Sequence, residues 1–536
     1  MCDRRQEAGF IVLSLHGILS AFVLFALVAC SQQASKPHPV HYDQAHGGRV
    51  FQVAYDHFDA LYIEDLDLGQ FTMTGLENLA FLDTRITVRA RDGMIEILGD
   101  EEKLVALERP RSNNPVRWAK VTSQAISTMQ MASSVIAANT AEEIYEVFFD
   151  STLEELDDYT RYAGRADARE HRATREGFGG IGVRINVVEE GVLIIDVMEA
   201  TPAEQAGLKI DDLIVAVDGK SLVGLDQREA VGHLRGPRAS SALLTVERPG
   251  SVHPLPIIVT RDHIVPQTVR YRVEEDVVYL EVLSFNQSTA STLRRKMIQG
   301  KQVLGPKLRG YVLDLRNNPG GLLDQAVEVA DLFTPRGRIV STHGRHPDSH
   351  QYFDGDEPPF SGDRPIVVLV NGLSASAAEI VAAALQDTGR AVVVGSNTFG
   401  KGTVQQVVPL PNEGELTITW ARFHAPSSYT LNGRGVLPDV CVIDVDPAEE
   451  NFASRLRRGE FLISWRTQHQ SIDPLDSEAL AALRAECPTD ESRLEQSLEV
   501  AKVLLQDPGL FATARGLAPA AEAFPPAKSS GLSLRQ

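Results

Sequence analysis

The sequence predicts an α/β core that is interrupted by a small β-rich module and flanked by helical regions. Strands alternate with helices through 263–445, which is the pattern of an α/β core. Short Val- and Ile-rich strands and glycine turns fill 177–262 and predict the β-rich module. In 49–176 apolar residues recur at helical spacing. The region 446–536 begins with charged helical residues, and its Ala-, Pro- and Ser-rich end is expected to be disordered.

Each predicted element has a recognisable signature. The segment 140–156 places apolar residues three and four apart behind an acidic first turn, which predicts an amphipathic helix. The module contains the turn VDGK at 217–220 and one helix at 227–234. In the core, apolar strands are expected at 277–285, 311–316 and 366–372, with helices at 291–299, 322–333 and 377–385.

The first residues predict export from the cytoplasm. Residues 1–30 place two arginines before an apolar run, and 31–48 has the composition of a tether. The end of the run, LVAC, resembles the lipobox of bacterial lipoproteins, which implies a lipid on Cys30. An uncleaved signal anchor is the alternative, because about 20 apolar residues span a bilayer. Both interpretations place the body in the cell envelope, on the periplasmic side, where Cys441 and Cys487 are free to form a disulfide.

Charge and cysteine spacing exclude other classes. The net charge of −20 argues against a nucleic-acid partner, since phosphate binding draws on clustered Lys and Arg. The four cysteines form no C-x-x-C pair, so a structural zinc site is not expected. His343, His346 and His350 have ligand-like spacing, but they lie in a proline-containing loop, which argues against a metal site.

The sharpest chemical signal is NGLSASAAEI at 371–380, a turn between an apolar strand and an alanine-rich helix. A serine at a helix start lies where free N–H groups and the helix dipole stabilise an oxyanion. Taken alone, Ser374 or Ser376 is more simply a helix cap.

A second segment, FGKGTVQ at 399–405, places Lys401 between two glycines after an apolar strand. A lysine acts as a base only when neutral, so its pKa must fall from about 10.4 toward 7, and burial lowers the pKa in that direction. Taken alone, Lys401 is more simply an exposed turn residue. The glycine spacing is not that of a P-loop.

A third segment, RNNPGG at 316–321, follows a buried strand and brings glycine N–H groups to the start of the next helix. Taken alone, it is an ordinary β-to-α turn.

Together the three segments resemble the carboxyl-terminal processing, or tail-specific, serine proteases. The resemblance covers 156–439 and includes LDDYTRY at 156–162 and ARFHAPSSYTLNGRGVLPDV at 421–440. It implies a ClpP/crotonase-like ββα core that needs no cofactor, formed from both sides of the module. Leu373 departs from the family's usual N-G-G-S, and Ser374 is expected to support the turn.

The resemblance also implies roles for individual residues. Ser376 corresponds to the nucleophile and Lys401 to the base, while Gln405 is expected to hold the lysine. The N–H groups of Gly320 and Ala377 are expected to form the oxyanion hole.

The module resembles the PDZ domain of the same proteases. GGIG at 179–182 and TPAEQAGLKIDDLIVAVDGK at 201–220 carry this resemblance. It implies that a loop of Gly179, Gly180, Ile181 and Gly182 binds the C-terminal carboxylate of a protein substrate. A module that only supports the protease is the alternative.

Other functions stay open at this stage. A lipid-tethered PDZ adaptor and a ligand carrier, as in the related interphotoreceptor retinoid-binding proteins, would tolerate loss of the Ser–Lys pair. No histidine has a triad motif around it, although distant His424 is not excluded as a partner for a serine. The family also implies a homo-oligomer or an adaptor protein as partner.

Overall fold

The structure is a computed structural model that describes 41–355, 358–443, 445–449, 451–463, 472, 476–490 and 494–515. The predicted export signal, Cys30, residues 31–40 of the tether and the tail lie outside the described residues. Within the described ranges, no helix is both long and apolar enough to cross a bilayer.

The N-terminal region is mainly helical, as predicted. Its core contains closely packed aromatic rings, such as Phe51 and Phe148 with centroids 4.7 Å apart. A three-stranded antiparallel sheet between the second and third helices was not foreseen. The elements are α1 (Gln44–Leu61), α2 (Leu68–Ala80), β1 (Ile86–Arg91), β2 (Met94–Gly99), β3 (Glu102–Glu108), α3 (Pro115–Ala132), α4 (Ser134–Ala137), α5 (Ala141–Glu154), β4 (Arg161–Ala163) and α6 (Arg165–Glu176).

The β-rich module has its own hydrophobic core and its own five-strand path, β11-β10-β8-β7-β6. The strand β6 therefore lies at the edge of this sheet and pairs only with β7. The elements are β5 (Phe178–Gly180), β6 (Val183–Val188), β7 (Gly191–Val197), α7 (Pro202–Gln205), β8 (Leu213–Val217), β9 (Lys220–Ser221), α8 (Gln227–Leu234), β10 (Ser241–Glu247), β11 (Leu255–Thr260) and β12 (Asp262–Ile264).

The α/β core contains two sheets. One has the order β13-β14-β15-β18-β19-β22 and is parallel from β14 onward, and the other has the order β17-β16-β21-β20. The elements are β13 (Val269–Glu274), β14 (Val277–Val282), α9 (Thr289–Leu304), β15 (Gly310–Asp314), α10 (Leu323–Asp331), β16 (Gly337–His343), β17 (Gln351–Gly355), β18 (Ile366–Val370), α11 (Ala377–Asp387), β19 (Val392–Gly395), β20 (Thr403–Pro409), β21 (Glu415–His424) and β22 (Val440–Cys441).

The topology of the parallel sheet positions the three segments predicted to carry chemistry. Strands β15, β18 and β19 are buried along their whole lengths, as Val-, Ile- and Leu-rich parallel strands must be. Because these strands are parallel, the turns that follow them begin at the same edge of the sheet.

The module is an insertion into the core, as predicted. Strand β4, which precedes the module in sequence, pairs with β21 from beyond it, with Leu416 opposite Tyr162. Residues on both sides of the module therefore build one core.

The C-terminal helices cover the outer face of the parallel sheet. Leu504 and Leu510 belong to the same buried cluster as Val367 on β18. A disulfide joins Cys441 to Cys487, a pairing that the sequence left open. The elements are α12 (Phe452–Arg457), α13 (Ser477–Ala485), α14 (Leu494–Gln506) and α15 (Pro508–Arg515).

Candidate active site

The nucleophile candidate lies at the start of a buried helix. Ser376 immediately precedes α11 and has φ 54°, a left-handed conformation that a side chain adopts only under strain. The next N–H group, that of Ala377, donates to no acceptor in the described part of the chain. Ser376 therefore lies beside an unpaired amide at the positive end of the helix dipole.

The preceding turn is fixed by side chains. The Ser374 hydroxyl is fully buried, donates to the Leu315 carbonyl oxygen (2.8 Å) and accepts the Asn371 N–H (3.0 Å). The Asn371 side chain in turn accepts the Asn317 N–H (2.9 Å). Ser374 thus holds the turn against the end of β15, which leaves Ser376 as the serine that faces the cavity described below.

The predicted oxyanion turn touches Ser376. A Cβ atom on Gly320 would lie 2.8 Å from Ser376 Cβ and 3.1 Å from the Ala377 nitrogen, so only glycine fits here. The Gly320 N–H, however, donates to Asn318 Oδ1 (2.8 Å). Of the two expected oxyanion donors, the Ala377 N–H is free in this structure and the Gly320 N–H is occupied.

Lys401 is half-buried, and its amine lies over the ring of Tyr159. Its Nζ lies 4.3 Å from the centroid of the Tyr159 ring, and no hydrogen bond joins it to Ser376 within the described structure. Burial, followed by the positive charge of Arg161, lowers the pKa of Lys401 to about 8, while Asp157 and Glu379 oppose the shift. The lysine thus has the pKa of a usable base, but no hydrogen bond joins it to the serine among the described residues.

Gln405 does not hold Lys401 in this arrangement. Its amide nitrogen donates to the Thr403 hydroxyl (2.8 Å) and the Thr419 hydroxyl (3.4 Å). The Thr419 hydroxyl donates in turn to Asp157 (3.0 Å). Gln405 therefore belongs to the wall of the site, and its expected hydrogen bond to the lysine is not formed here.

One cavity of about 390 Å³ brings the predicted groups together. Ser376, Ala377, Lys401 and Gln405 all line it, and Gly321 stands beside them. Segments that are far apart in sequence therefore meet, as the common strand edge predicts.

Two functional side chains were missed in the sequence. Glu379 is fully buried, and its carboxylate accepts the N–H groups of Ser376 (2.7 Å), Gly400 (2.7 Å) and Lys401 (2.9 Å) together with the Thr398 hydroxyl. Burial raises the pKa of Glu379, and these donors oppose that rise. The available signal was the S-x-x-E spacing of a capping box.

The second missed residue is Tyr159, whose ring contacts the amine of Lys401. Asp157 accepts its N–H (2.8 Å) and so fixes the segment that presents the ring. The LDDYTRY match pointed to this segment, but nothing in the sequence indicated that the ring would lie under Lys401.

The glycine loop of the module stands beside the open sheet edge. A Cβ on Gly179 would lie 2.0 Å from the Gly236 carbonyl oxygen, and Gly182 has φ 87°. Ile181 is buried, and its carbonyl oxygen accepts the Ala203 N–H (2.8 Å). The loop of Gly179, Gly180, Ile181 and Gly182 leads directly into the edge strand β6, which pairs on one side with β7.

The histidines form a separate group. The rings of His343 and His350 lie 5.3 Å apart, and those of His343 and His424 lie 4.7 Å apart. Across the described ranges, no group of three His, Cys, Asp or Glu side chains is arranged to hold a metal ion. His424 does not line the cavity that contains Ser376.

Comparison with known proteins gives two matches to family models. Residues 276–442 match peptidase family S41, and residues 193–248 match the PDZ domain. The first match lies within the α/β core and the second within the β-rich module.

Curated relatives agree with these matches. A carboxy-terminal-processing protease of Bartonella bacilliformis is 41% identical over 304 residues, which cover 56% of this chain and 70% of the relative. A carboxyl-terminal-processing protease of Picosynechococcus sp. is 35% identical over 314 residues, which cover 56% of this chain and 74% of the relative. The carboxy-terminal processing protease CtpA of Bacillus subtilis is 32% identical over 297 residues, which cover 54% of this chain and 61% of the relative.

The predicted fold class is confirmed, with an S41 core, a PDZ domain and helical terminal regions. The chain belongs to peptidase family S41 and is a carboxy-terminal-processing serine protease with a PDZ domain.

Proposed function

We propose that this protease is an endopeptidase that works by acyl transfer, with Ser376 as nucleophile and Lys401 as base. The observation that carries the proposal is that Ser376, Ala377 and Lys401 line one cavity, in which the pKa of Lys401 is lowered to about 8. About a tenth of such a lysine is neutral at pH 7 and can accept a proton.

In the proposed first step, the Lys401 side chain leaves Tyr159, reaches Ser376 and accepts the hydroxyl proton as Oγ attacks the scissile carbonyl carbon. The Ala377 N–H and the α11 dipole stabilise the oxyanion, and the Gly320 N–H joins them once the Asn318 side chain turns away. Lys401 then gives its proton to the leaving amine, and water hydrolyses the ester on Ser376.

An acyl-enzyme experiment tests this chemistry. The protein is mixed with an activated ester of a short apolar peptide, quenched in acid and mapped by mass spectrometry. The acyl group is expected on the peptide that contains Ser376, and fragmentation must place it there and not on Ser374. Turnover of a tail-bearing protein without acylation of Ser376 contradicts the proposal, whereas tail binding without turnover favours the adaptor.

For the PDZ domain, we propose that it captures the C-terminal tail of a protein substrate. The exposed edge of β6 is suited to receive an extended peptide as an added strand, and the Gly179–Gly182 loop stands at the end of that strand. Gly179 and Gly180 belong to β5, which pairs with β12, and Ile181 and Gly182 connect β5 to β6. Backbone N–H groups of such a glycine-rich loop bind carboxylates.

Amidation of the peptide C-terminus is expected to weaken binding by about tenfold, because the charge-assisted hydrogen bonds to the loop are lost. Fluorescence anisotropy with a labelled apolar peptide, as free acid and as amide, measures the effect on the full chain carrying Ser376→Ala. Equal affinities of acid and amide would contradict carboxylate capture by the loop.

The same proposal places the enzyme at the cell envelope, on the periplasmic side, anchored by a lipid on Cys30. Support comes from the LVAC motif and the apolar run before it. Incorporation of a radioactive fatty acid into the wild type, and its absence from Cys30→Ser, is the expected result. Labelling that survives this substitution contradicts the anchor. A homo-oligomer or an adaptor protein stays a prediction from the family.

A further inference from the structure

We propose that the cavity beside Ser376 contains a subsite for a substrate carboxylate, with Arg161 as its principal ligand. The inference rests on the proposed function, because it assigns a specificity to the cavity of the proposed nucleophile. It adds a second point of carboxylate recognition, distinct from the PDZ loop.

The charge of the cavity lining is the first observation. Arg161, His171, Arg175 and Lys401 line the cavity, and among the described residues no Asp or Glu lines it. The whole chain has a formal charge of −20, so a cavity wall that contains positive side chains and no carboxylate differs from the acidic chain as a whole. Such a wall attracts anions.

The second observation is the pairing of the arginines. Arg172 (2.7 Å) and Arg175 (3.0 Å) both bond to the buried carboxylate of Glu415, so two positive charges share one negative charge. Arg161 forms no ion pair within the described residues, and its Nη1 donates only to the Tyr159 carbonyl oxygen at 3.5 Å.

Arg161 therefore lines the cavity with no anionic partner among the described residues. Much of the Arg161 side chain is exposed, and desolvation of its guanidinium together with the charge of Arg175 lowers its pKa. The planar fork of a guanidinium matches the two oxygens of a carboxylate. Because apolar side chains complete the wall, a bound carboxylate would be partly shielded from water, which strengthens the pair. These apolar residues are Leu322, Leu323, Ile380, Val404 and Phe423.

Two parts of a substrate carry this chemistry. One is an Asp or Glu side chain within a few residues of the scissile bond, and the other is the α-carboxylate of a tail that ends there. Both would place one carboxylate in the cavity while the scissile carbonyl lies at Ser376.

The test uses two substrate series with the full-length enzyme. In the first, proteins with one common C-terminal tail carry Glu or Gln at each position around the cleavage site. In the second, short peptides end near the scissile bond as a free acid or an amide. The measured quantity is the ratio of kcat/KM within each pair.

The wild type is expected to prefer the carboxylate member of at least one series by about tenfold, the effect of one charge-assisted hydrogen-bonded pair. Arg161→Gln should bring that ratio close to one, and Arg161→Lys, which keeps the charge but not the fork, should give an intermediate ratio. The ratio in the wild type should also fall between 50 and 500 mM salt, because salt screens the pair. The series in which the ratio changes identifies the source of the carboxylate.

A ratio is used because Arg161→Gln also removes a charge that lowers the pKa of Lys401 and so alters cleavage of every substrate. Arg169→Gln is the matched control, because Arg169 lies on the same helix as Arg175, is exposed and does not line the cavity. Its ratios should equal those of the wild type. Wild-type ratios of one in both series, or ratios unchanged in Arg161→Gln, overturn the inference and leave the acylation of Ser376 untouched.

Discussion

Replacement of Lys401 by alanine is expected to lower kcat/KM for a tail-bearing protein by about 10³-fold, since general-base catalysis contributes that order of magnitude. Lys401→Arg should be equally inactive, although arginine keeps the positive charge beside Tyr159, because a guanidinium does not lose its proton in this pH range. The two variants therefore distinguish a Lys401 that acts as a base from a Lys401 that only packs its positive charge on the Tyr159 ring.

The wild type supplies an independent check through pH. Lys401 acts when neutral, and its pKa is lowered to about 8, so kcat/KM should rise with pH and level off above about 8. The residual kcat/KM of Lys401→Ala should not show this rise with pH. Lys220→Ala, at an exposed lysine that also follows a glycine in a turn, is the control and should behave as the wild type. An active Lys401→Arg enzyme would rule out the base role.

Replacement of Glu379 by glutamine should lower both stability and activity. Both carboxylate oxygens accept hydrogen bonds from the turns that contain Ser376 and Lys401, so an NH₂ group in place of one oxygen meets a donor. An unsatisfied buried donor costs about 1–3 kcal/mol, and two such donors face each other here. We expect the free energy of unfolding to fall by about 3 kcal/mol and kcat/KM to fall at least tenfold as Ser376 and Lys401 lose their common support.

Urea denaturation and steady-state kinetics, at a temperature at which the variant is folded, measure the two effects. Glu143→Gln is the matched control, because Glu143 forms the same capping-box hydrogen bond with Thr140 (2.7 Å) at an exposed helix start. That change should cost about 1 kcal/mol or less and leave kcat/KM unchanged. Full activity of Glu379→Gln, with only a loss of stability, would show that Glu379 is merely structural.

Much of this arrangement was predictable because its parts are local. The turn around Ser376 and the turn around Lys401 each follow an apolar strand, and parallel neighbouring strands bring such turns to one edge. The insertion of the module was also predictable, since its strand and turn pattern differs from that on either side.

Other features depend on contacts that sequence spacing does not encode. The position of the Lys401 amine on Tyr159 depends on a side-chain torsion and on a segment more than 200 residues earlier in the chain. The hydrogen bonds of Gln405 were misjudged for the same reason, because two threonines on the same sheet compete for its amide. The sheet β1–β3 was missed because the helical period dominates its surroundings.

The disulfide has a practical consequence for how this protease is produced. It closes a loop of 46 residues, for which chain entropy predicts a contribution of about 4 kcal/mol. Close to Cys487, the backbone carbonyl oxygen of Asp490 accepts the Ser396 hydroxyl (3.2 Å), and Thr489 lies against Gly372 in the turn before Ser376. Because disulfides do not persist in a reducing cytosol, protein expressed there would lack the covalent link close to the turn that contains Ser376. Expression host and reductant therefore belong among the variables that set the specific activity of a preparation.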